Sequence, residues 1–377
     1  MSVAKKVVII YHYPCPDGVF GALGAYLHFS VVNPAQSLRF CPLTVWSKPE
    51  EREALVSTIS KDEDVFLIDF SGGIPFMTAL CGAASSVTLL DHHADTAESL
   101  PTFLASSPPS NFHHTMDMAR SGAQLSWDFF NLGEPTFAAF KGSEEGAKRM
   151  QSVFALIQDN DLFLHKLPGS KAFTAGFAEL KLEYNPAKNP SIWSTLLALD
   201  APTLIATGTA LLEEQAAIRA KEREGAFAVA VPSPEGTPTL KCLALITQYP
   251  DLRSMAGNEL AELSKSKGMA HASAICYTEA GAGEGVIKVS LRSVGDCDIM
   301  VVARHHGGGG HKVRVGFFVQ WALVYCFTRI QSFYSLHTYH HPPAPFLKTE
   351  CRELHCAVGC IQCLEAASIV LILLNSA

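Results

Sequence analysis

The fold of this chain is restricted most by a set of three apolar runs. Each run has the length of one strand, and helix-like segments separate them. The runs are KVVIIYH (6–12), DVFLIDF (64–70) and SVTLLDH (86–92). Strands that read as unbroken apolar runs are typically covered on both faces. Other segments have their apolar residues at helical spacing instead: DGVFGALGAYLHF, EEREALVSTIS and GIPFMTALCGAAS. This alternation predicts an α/β fold with a mainly parallel sheet flanked by helices.

The pattern changes after a long polar helix predicted at about 206–223. Strand-like segments follow at 225–231, 240–247, 271–277 and 285–293, with a helix between the second and third. This order predicts a smaller C-terminal α/β domain. We therefore expect a first domain at 1–200, a helical connector at 201–225, a second domain at 226–320 and an atypical, poorly ordered tail at 321–377.

Composition limits the partners of this chain. A net charge of −7 argues against a broad basic face that grips long duplex nucleic acid, but it allows a local phosphate pocket. No apolar stretch is long enough to span a membrane, so no membrane partner is expected. The eleven cysteines, an odd number without a secretory signal, predict reduced thiols and a cytoplasmic location. The sequence leaves the oligomeric state open.

Polar, metal-competent side chains follow each of the three apolar runs. His12 ends the first, Asp69 the second, and Asp91-His92-His93 the third. Ligands of open parallel sheets bind beyond the carboxyl ends of the strands, so these side chains are expected to converge there. Asp17 lies in the loop just after the first run, and Asp159 and Asp161 end a helix at about 144–158.

Carboxylates mixed with imidazoles suit Mn²⁺ and tolerate Mg²⁺, Zn²⁺ or Co²⁺. Two such ions can activate a water and stabilise an in-line phosphoryl displacement, with Asp91 or Asp159 as a bridging carboxylate. A single strand-terminal Asp is more often a turn or helix-cap residue. Three strand ends that all carry metal-competent groups favour a metal site, although Asp161 alone could equally be structural.

A second group of residues lies near the end of the predicted second domain. Arg292 is on the strand VSLRS, and the run GGGGHK follows it at 307–312. Consecutive glycines can present backbone N–H groups to an anion, and an arginine can bind a phosphate through two donors. This predicts a phosphate-binding group formed by Arg292, Gly307, Gly308, Gly309, Gly310 and His311. A flexible loop of the same composition is the alternative.

These motifs together resemble the DHH phosphoesterase superfamily. Its four motifs are matched in order by YHYPCPDGVFGA, LIDFS, LLDHH and IQDNDLF. The run GGGGHK is similar to a motif of its DHH-associated domain. MARSGAQLSWDFF and HKLPGSKAF are similar to its nano-RNase-like, or cyclic-nucleotide phosphodiesterase-like, branch. The resemblance covers about residues 5–318. It implies two Mn²⁺ ions, with Mg²⁺ or Co²⁺ possible, held by His12, Asp17, Asp69, Asp91, His92 and Asp159.

The resemblance further implies an intracellular oligoribonuclease-like hydrolase. Asp91, His92 and His93 would be catalytic, and the second domain would bind the substrate. The expected activity is a phosphodiesterase on short oligonucleotides or small nucleotides, in which metal-activated water attacks phosphorus. The alternatives are a phosphomonoesterase or pyrophosphatase on the same metal centre, or a catalytically impaired nucleotide-binding protein.

The chain departs from the family pattern in two places. Much of the superfamily has two acids in the first motif, where this chain has Asp17 alone; the relatives with CPDG share this feature. After the glycines, Val313 and Arg314 replace two small residues, which could distort the substrate loop. In the tail, CRELHCAVGCIQC allows a zinc site, but its spacing lacks a second well-separated pair. A translated intron or an alternative exon fits the irregular composition better.

Overall fold

The structure, a computed structural model, describes residues 6–32, 34–35, 37–105, 110–132, 144–279, 283, 286–311 and 313–320. The chain divides into two compact units at Glu213–Glu214. This division lies within a long helix, Ala201–Glu224. The predicted tail at 321–377, with its possible zinc site, lies outside the described residues, and the predicted domain boundaries stay a prediction.

Unit 1 is built around a parallel sheet of five strands in the order β2-β1-β3-β4-β5. The strands are β1 Lys6–His12, β2 Ser37–Leu43, β3 Glu63–Ile68, β4 Ser86–Asp91 and β5 Phe112–Met116. The helices are α1 Pro16–Leu27, α2 Pro49–Val56, α3 Ile74–Ala83, α4 Ala94–Ala105, α5 Gly122–Phe129, α6 Glu144–Asp161, α7 Ser170–Glu179, α8 Ile192–Leu197 and α9 Ala201–Glu224, with a π-helical turn at His28–Val32.

The central strands are apolar throughout because both faces of the sheet are covered. In β1, Val7, Ile9 and Tyr11 face one hydrophobic core, and Val8 and Ile10 face another. Helices α1, α5 and α6 supply the first core, whereas α3 and α4 supply the second. The predicted α/β fold with a parallel sheet flanked by helices is therefore confirmed.

Unit 2 has a mixed sheet in the order β10-β11-β9-β8-β7-β6. The strands are β6 Phe227–Val231, β7 Leu240–Ile246, β8 Ala272–Tyr277, β9 Val286–Ser293, β10 Gly309–His311 and β11 Arg314–Gln320. Its helices are α10 Arg253–Ser266, preceded by a 3-10 turn at Pro250–Leu252, and α11 Met300–His305. Only β7 and β8 pair in parallel. The smaller C-terminal α/β unit agrees with the predicted fold class.

The sequence missed the two edge strands of the first sheet. The β2 strand contains Pro42, which cannot donate a backbone hydrogen bond, and β5 (FHHTM) is largely polar and partly exposed. Edge strands are less buried than central ones, so they lack the unbroken apolar run on which the prediction depends. Across the described part of the chain, no helix combines the length and apolarity needed to cross a bilayer.

Substitution of Gly208 by alanine should destabilise unit 1 by about 1–3 kcal/mol, because the added methyl group would overlap the carbonyl oxygen of Ala172 where α9 crosses α7. Urea unfolding measures this change. Gly82→Ala is a matched control, since it lies in α3 with nothing within 4 Å of the new methyl group. The control should be neutral or stabilising by up to about 1 kcal/mol. Equal stability of the two variants would contradict this prediction.

Candidate metal centre

The candidate site lies at the carboxyl edge of the five-stranded sheet. His12 is the last residue of β1, Asp69 follows β3, and Asp91 is the last residue of β4. In the order β2-β1-β3-β4-β5, successive strands are added on opposite sides of β1, so the switch point of the sheet lies between β1 and β3. His12 and Asp69 thus flank the crevice where ligands of such sheets bind.

Asp69 is the centre of this cluster. Its side chain is 1% exposed, its Oδ2 is 3.1 Å from His12 Nδ1, and its Oδ1 is 3.1 Å from His92 Nε2. Burial alone would raise the pKa of the Asp69 carboxyl. The hydrogen bonds with the two imidazoles outweigh burial and lower this pKa to about 2. Asp69 is therefore an anion held between two histidines.

Asp17, in the first turn of α1, is held by backbone groups of α5. Its carboxylate accepts the N–H groups of Gly122, at 2.5 Å, and Ala123, at 3.0 Å. The first N–H groups of a helix stabilise an anion in this way. A side chain at position 122 would lie 2.5 Å from the Asp69 Cβ, so only glycine allows this approach. Burial, and then the charges of Asp69 and Asp161, raise the pKa of Asp17.

At the end of α6, the structure brings Asp161 and not Asp159 into the cluster. Asp161 Oδ2 and Asp17 Oδ2 each lie 3.5 Å from His92 Nε2. Burial and the charge of Asp69 raise the pKa of Asp161. The Asp159 carboxylate is 4% exposed and accepts the N–H groups of Lys166, at 3.0 Å, and Leu167, at 3.3 Å. It thus closes the loop after α6.

Asp91 organises the Asp-His-His turn. Its Oδ1 accepts the N–H groups of His92, at 2.8 Å, and His93, at 3.2 Å, while its Oδ2 accepts the Thr96 hydroxyl at 2.7 Å. His93 Nδ1 lies 2.8 Å from the same Oδ1. This hydrogen bond to Asp91 raises the pKa of His93 to about 9, against the opposing effect of burial. Asp91 therefore fixes both the backbone of the turn and the His93 ring.

Three overlapping groups of side chains could hold a metal ion, each with ligand atoms within 4.8 Å of one another. They are His12, Cys15 and Asp69; Asp69, His92 and His93; and Asp17, His92 and Asp161. Nitrogen and carboxylate oxygen donors fit a divalent cation. Burial and the charge of Asp69 raise the pKa of both Asp17 and Asp161, and this also fits a cation site, because a cation would neutralise that charge. The sequence analysis did not predict Cys15 as a possible metal ligand. Its position between His12 and Asp17 is the sequence feature that could have indicated this.

In unit 2, Arg292 is 5% exposed and donates from Nη1 to the Ser290 hydroxyl at 2.9 Å and to the Leu291 carbonyl at 3.0 Å. Its buried Nε has no hydrogen-bond partner among the described residues. It lies opposite Arg314 in the β9–β11 pair. Burial, and then the charge of Arg314, lower the pKa of Arg292. The surroundings of this guanidinium would therefore favour an added anion.

The glycine run does not form an open loop. The N–H groups of Gly307 and Gly308 donate to the carbonyls of Arg304 and Ala303 and so close the end of α11. Gly309 and Gly310 belong to β10, which pairs with β11. His311 ends this strand, and its side chain is outside what the structure describes. The predicted anion-binding role of these residues thus stays a prediction, with the first two N–H groups already engaged.

No protein-family model matches the chain. A protein of Acanthamoeba polyphaga mimivirus, itself uncharacterised, is 22% identical over 312 residues, which cover 81% of this chain and 65% of the viral protein. This chain thus spans less than two thirds of that relative's length.

Two solved structures are similar at low identity. A pGpG-specific phosphodiesterase, PggH from Vibrio cholerae, has a TM-score of 0.41 and 10% identity, covering 87% of this chain and 97% of that one. The exonuclease RecJ bound to manganese has a TM-score of 0.42 and 14% identity, covering 89% and 91%.

Binding of a divalent cation should release protons, because the Asp17 and Asp161 carboxyls, whose pKa values are raised by burial and by neighbouring charge, must lose their protons to become ligands. The apparent affinity should rise with pH through the range in which these two carboxyls lose their protons, since a group of raised pKa holds its proton below that pKa. Calorimetric titration of Mn²⁺ in buffers of different ionisation enthalpy measures the released protons. A pH-independent affinity would contradict this expectation.

Proposed function

We propose that this protein is a metal-dependent phosphodiesterase of the DHH phosphoesterase superfamily, in its nano-RNase-like branch. Its substrates would be short oligonucleotides or small nucleotides, and its preferred cofactor a pair of Mn²⁺ ions. The observation that carries the proposal is the meeting of Asp17, Asp69, His92 and Asp161, from four separate stretches, at the switch point of a parallel sheet. The ordered motifs of the sequence support the same assignment.

The side chains would divide into two ligand sets without a common residue. His12 and Asp69, with Cys15, would hold one ion, whereas Asp17, His92 and Asp161 would hold the other. When bound, such cations supply a water of lowered pKa and neutralise charge on phosphoryl oxygens. Asp69 contacts His12 of one set and His92 of the other, so its carboxylate could contribute a ligand atom to either ion. Asp161 takes the place first given to Asp159.

Asp91 and His93 would act on the leaving group. Asp91 holds Nδ1 of His93, which leaves Nε2 of a 41% exposed side chain for the substrate. As the ester P–O bond breaks, the leaving oxygen would take the proton from Nε2, and solvent would restore it. A raised pKa keeps His93 in its protonated form near neutral pH, as a general acid requires.

Arg292 would bind a substrate phosphate or terminal nucleotide in unit 2. Its guanidinium is buried without a carboxylate in ion-pair contact among the described residues, and its Nε lacks a hydrogen-bond acceptor there. An anionic group would pair with the charge of the guanidinium and accept a hydrogen bond from its Nε. Gly257 leaves room for the side chain, because a methyl group at that position would lie 2.7 Å from the Arg292 Cγ.

Replacement of His92 by alanine should lower Mn²⁺-dependent hydrolysis of a dinucleotide by about a thousandfold or more, because this side chain contacts three of the cluster's carboxylates. Initial rates and Mn²⁺ binding are both measured. His113→Ala is the matched control, since His113 is exposed on β5. Full activity of His92→Ala would remove the basis of the proposed function.

Arg292→Met should raise KM for the same dinucleotide about tenfold with little change in kcat, since a positioning contact acts on binding and a charged hydrogen bond has roughly this effect. Steady-state kinetics separate the two constants. Arg253→Met, which removes an arginine that stacks on Tyr277 in the same unit, is the control. A fall in kcat with an unchanged KM would place Arg292 in the chemical step instead.

The alternatives are separated by a substrate screen with Mn²⁺. Dinucleotides, 3′,5′-cyclic nucleotides, adenosine 3′,5′-bisphosphate and pyrophosphate cover the candidate chemistries. Turnover of only the last two would indicate a phosphomonoesterase or pyrophosphatase on the same centre. Oligonucleotide binding with no product would indicate a catalytically impaired nucleotide-binding protein, for which the single acid of the first motif is the specific reason.

A further inference from the structure

A cavity of about 260 Å³ adjoins the candidate metal centre. Three carboxylates, those of Asp69, Asp91 and Asp95, line it together with His93 and with Arg52 from α2. Ligand sites commonly measure about 300–1,000 Å³, so this cavity suits a phosphoryl group with part of one nucleoside rather than a run of nucleotides. Whatever occupies it lies against the residues assigned to the metal ions and the leaving group.

Arg52 is held in place by several contacts within unit 1. Its Nε donates to the Ser47 hydroxyl at 2.8 Å, its Nη1 to the Gly72 carbonyl at 2.6 Å, and its Nη2 to the Val45 carbonyl at 3.2 Å. Its guanidinium carbon also lies 5.6 Å from the centre of the Phe70 ring. The side chain is therefore pre-organised, and binding would cost little of its conformational freedom.

The positive charge of Arg52 is not matched by a carboxylate among the described residues, whereas Arg39, Arg120 and Arg219 each form an ion pair there. Three of the five N–H groups of a guanidinium are used in the contacts above. One N–H on each terminal nitrogen is left over. Arg52 is the only lysine or arginine that lines the cavity.

We propose that this cavity binds the reacting phosphoryl group and that the two remaining N–H groups of Arg52 donate to its oxygens. The ligand class is a tetrahedral oxyanion: the scissile phosphate of a substrate, or the phosphate of a product. Paired N–H donors on a planar fork match two oxygens of one phosphate. This inference rests on the proposed function, because it assigns Arg52 to the phosphate that the same metal centre attacks.

Orthophosphate is the probe that tests this proposal. With Mn²⁺ bound to the protein and free Mn²⁺ removed, the phosphorus NMR signal of orthophosphate should be broadened by the paramagnetic ion when phosphate binds beside the metal centre. Arg52→Ala should weaken this binding about tenfold, as expected for loss of a charged hydrogen-bonding group. Arg39→Ala, which removes an arginine that contacts Thr58 and Glu63, should leave it unchanged. Unchanged broadening in Arg52→Ala would overturn the proposal.

Catalysis supplies a second readout. Arg52→Ala should lower kcat for a dinucleotide about a hundredfold, and added guanidinium ion should restore part of the rate. A merely structural role of Arg52 would give no such rescue, and absence of rescue in a folded variant counts against the proposal. If Arg52→Ala does not fold, Arg52→Lys decides, because it keeps the charge and loses the fork. Wild-type phosphate binding by Arg52→Lys would then overturn the proposal.

The test also separates this proposal from the proposed function. If Mn²⁺ does not bind, the proposed metal centre is rejected. Calorimetric titration of orthophosphate then still tests whether Arg52 binds phosphate. An Arg292→Met background then removes the contribution of unit 2. Orthophosphate binding that depends on Arg52 without any hydrolysis would support the cavity and reject the enzyme. Hydrolysis that proceeds at an unchanged rate in Arg52→Ala would support the enzyme and reject the proposed phosphate site in the cavity.

Discussion

Burial of several carboxylates in one place is the constraint on which the rest of unit 1 depends. Asp17, Asp69 and Asp91 are each at most 1% exposed. An ionised carboxylate is strongly destabilised away from water unless charged or hydrogen-bonded groups compensate for it. Imidazoles provide this for Asp69, the first N–H groups of α5 for Asp17, and the following turn for Asp91. The loops and helix ends at the carboxyl edge of the sheet are therefore arranged around negative charge.

The central strands and their polar ends were predictable, because an unbroken apolar run determines both burial and the point where a strand meets solvent. The edge strands β2 and β5 were not, since their residues face partly polar surroundings. At the end of α6, the resemblance implies Asp159 as a ligand, whereas the structure places Asp161 near His92. Two residues along a helix differ by about 200° in direction, so the packing of α6 decides which of the two carboxylates faces the cluster. Arg52 gave no signal either, since EEREALV reads as an ordinary exposed helix.

The glycine-rich segment of unit 2 has a composition that suits either an anion-binding loop or close packing of two strands. A methyl group at Gly310 would overlap the Arg314 carbonyl oxygen, and Gly310 has a φ of 145°. Close approach of β10 to β11 is therefore sufficient reason for a glycine there, whatever the substrate. The buried guanidinium of Arg292 is the stronger indication of an anion, because a strand pair has no need for two facing arginines.

The residues of the candidate metal centre are spread along the chain from His12 to Asp161, and this spacing would couple metal binding to the folding of unit 1. No short fragment contains the cluster, so the ligand atoms come together only when the strands and α6 have assembled. A cation that recognises the assembled cluster binds the native state in preference to the unfolded chain. By thermodynamic linkage, the free metal concentration then becomes a determinant of how much of unit 1 is folded.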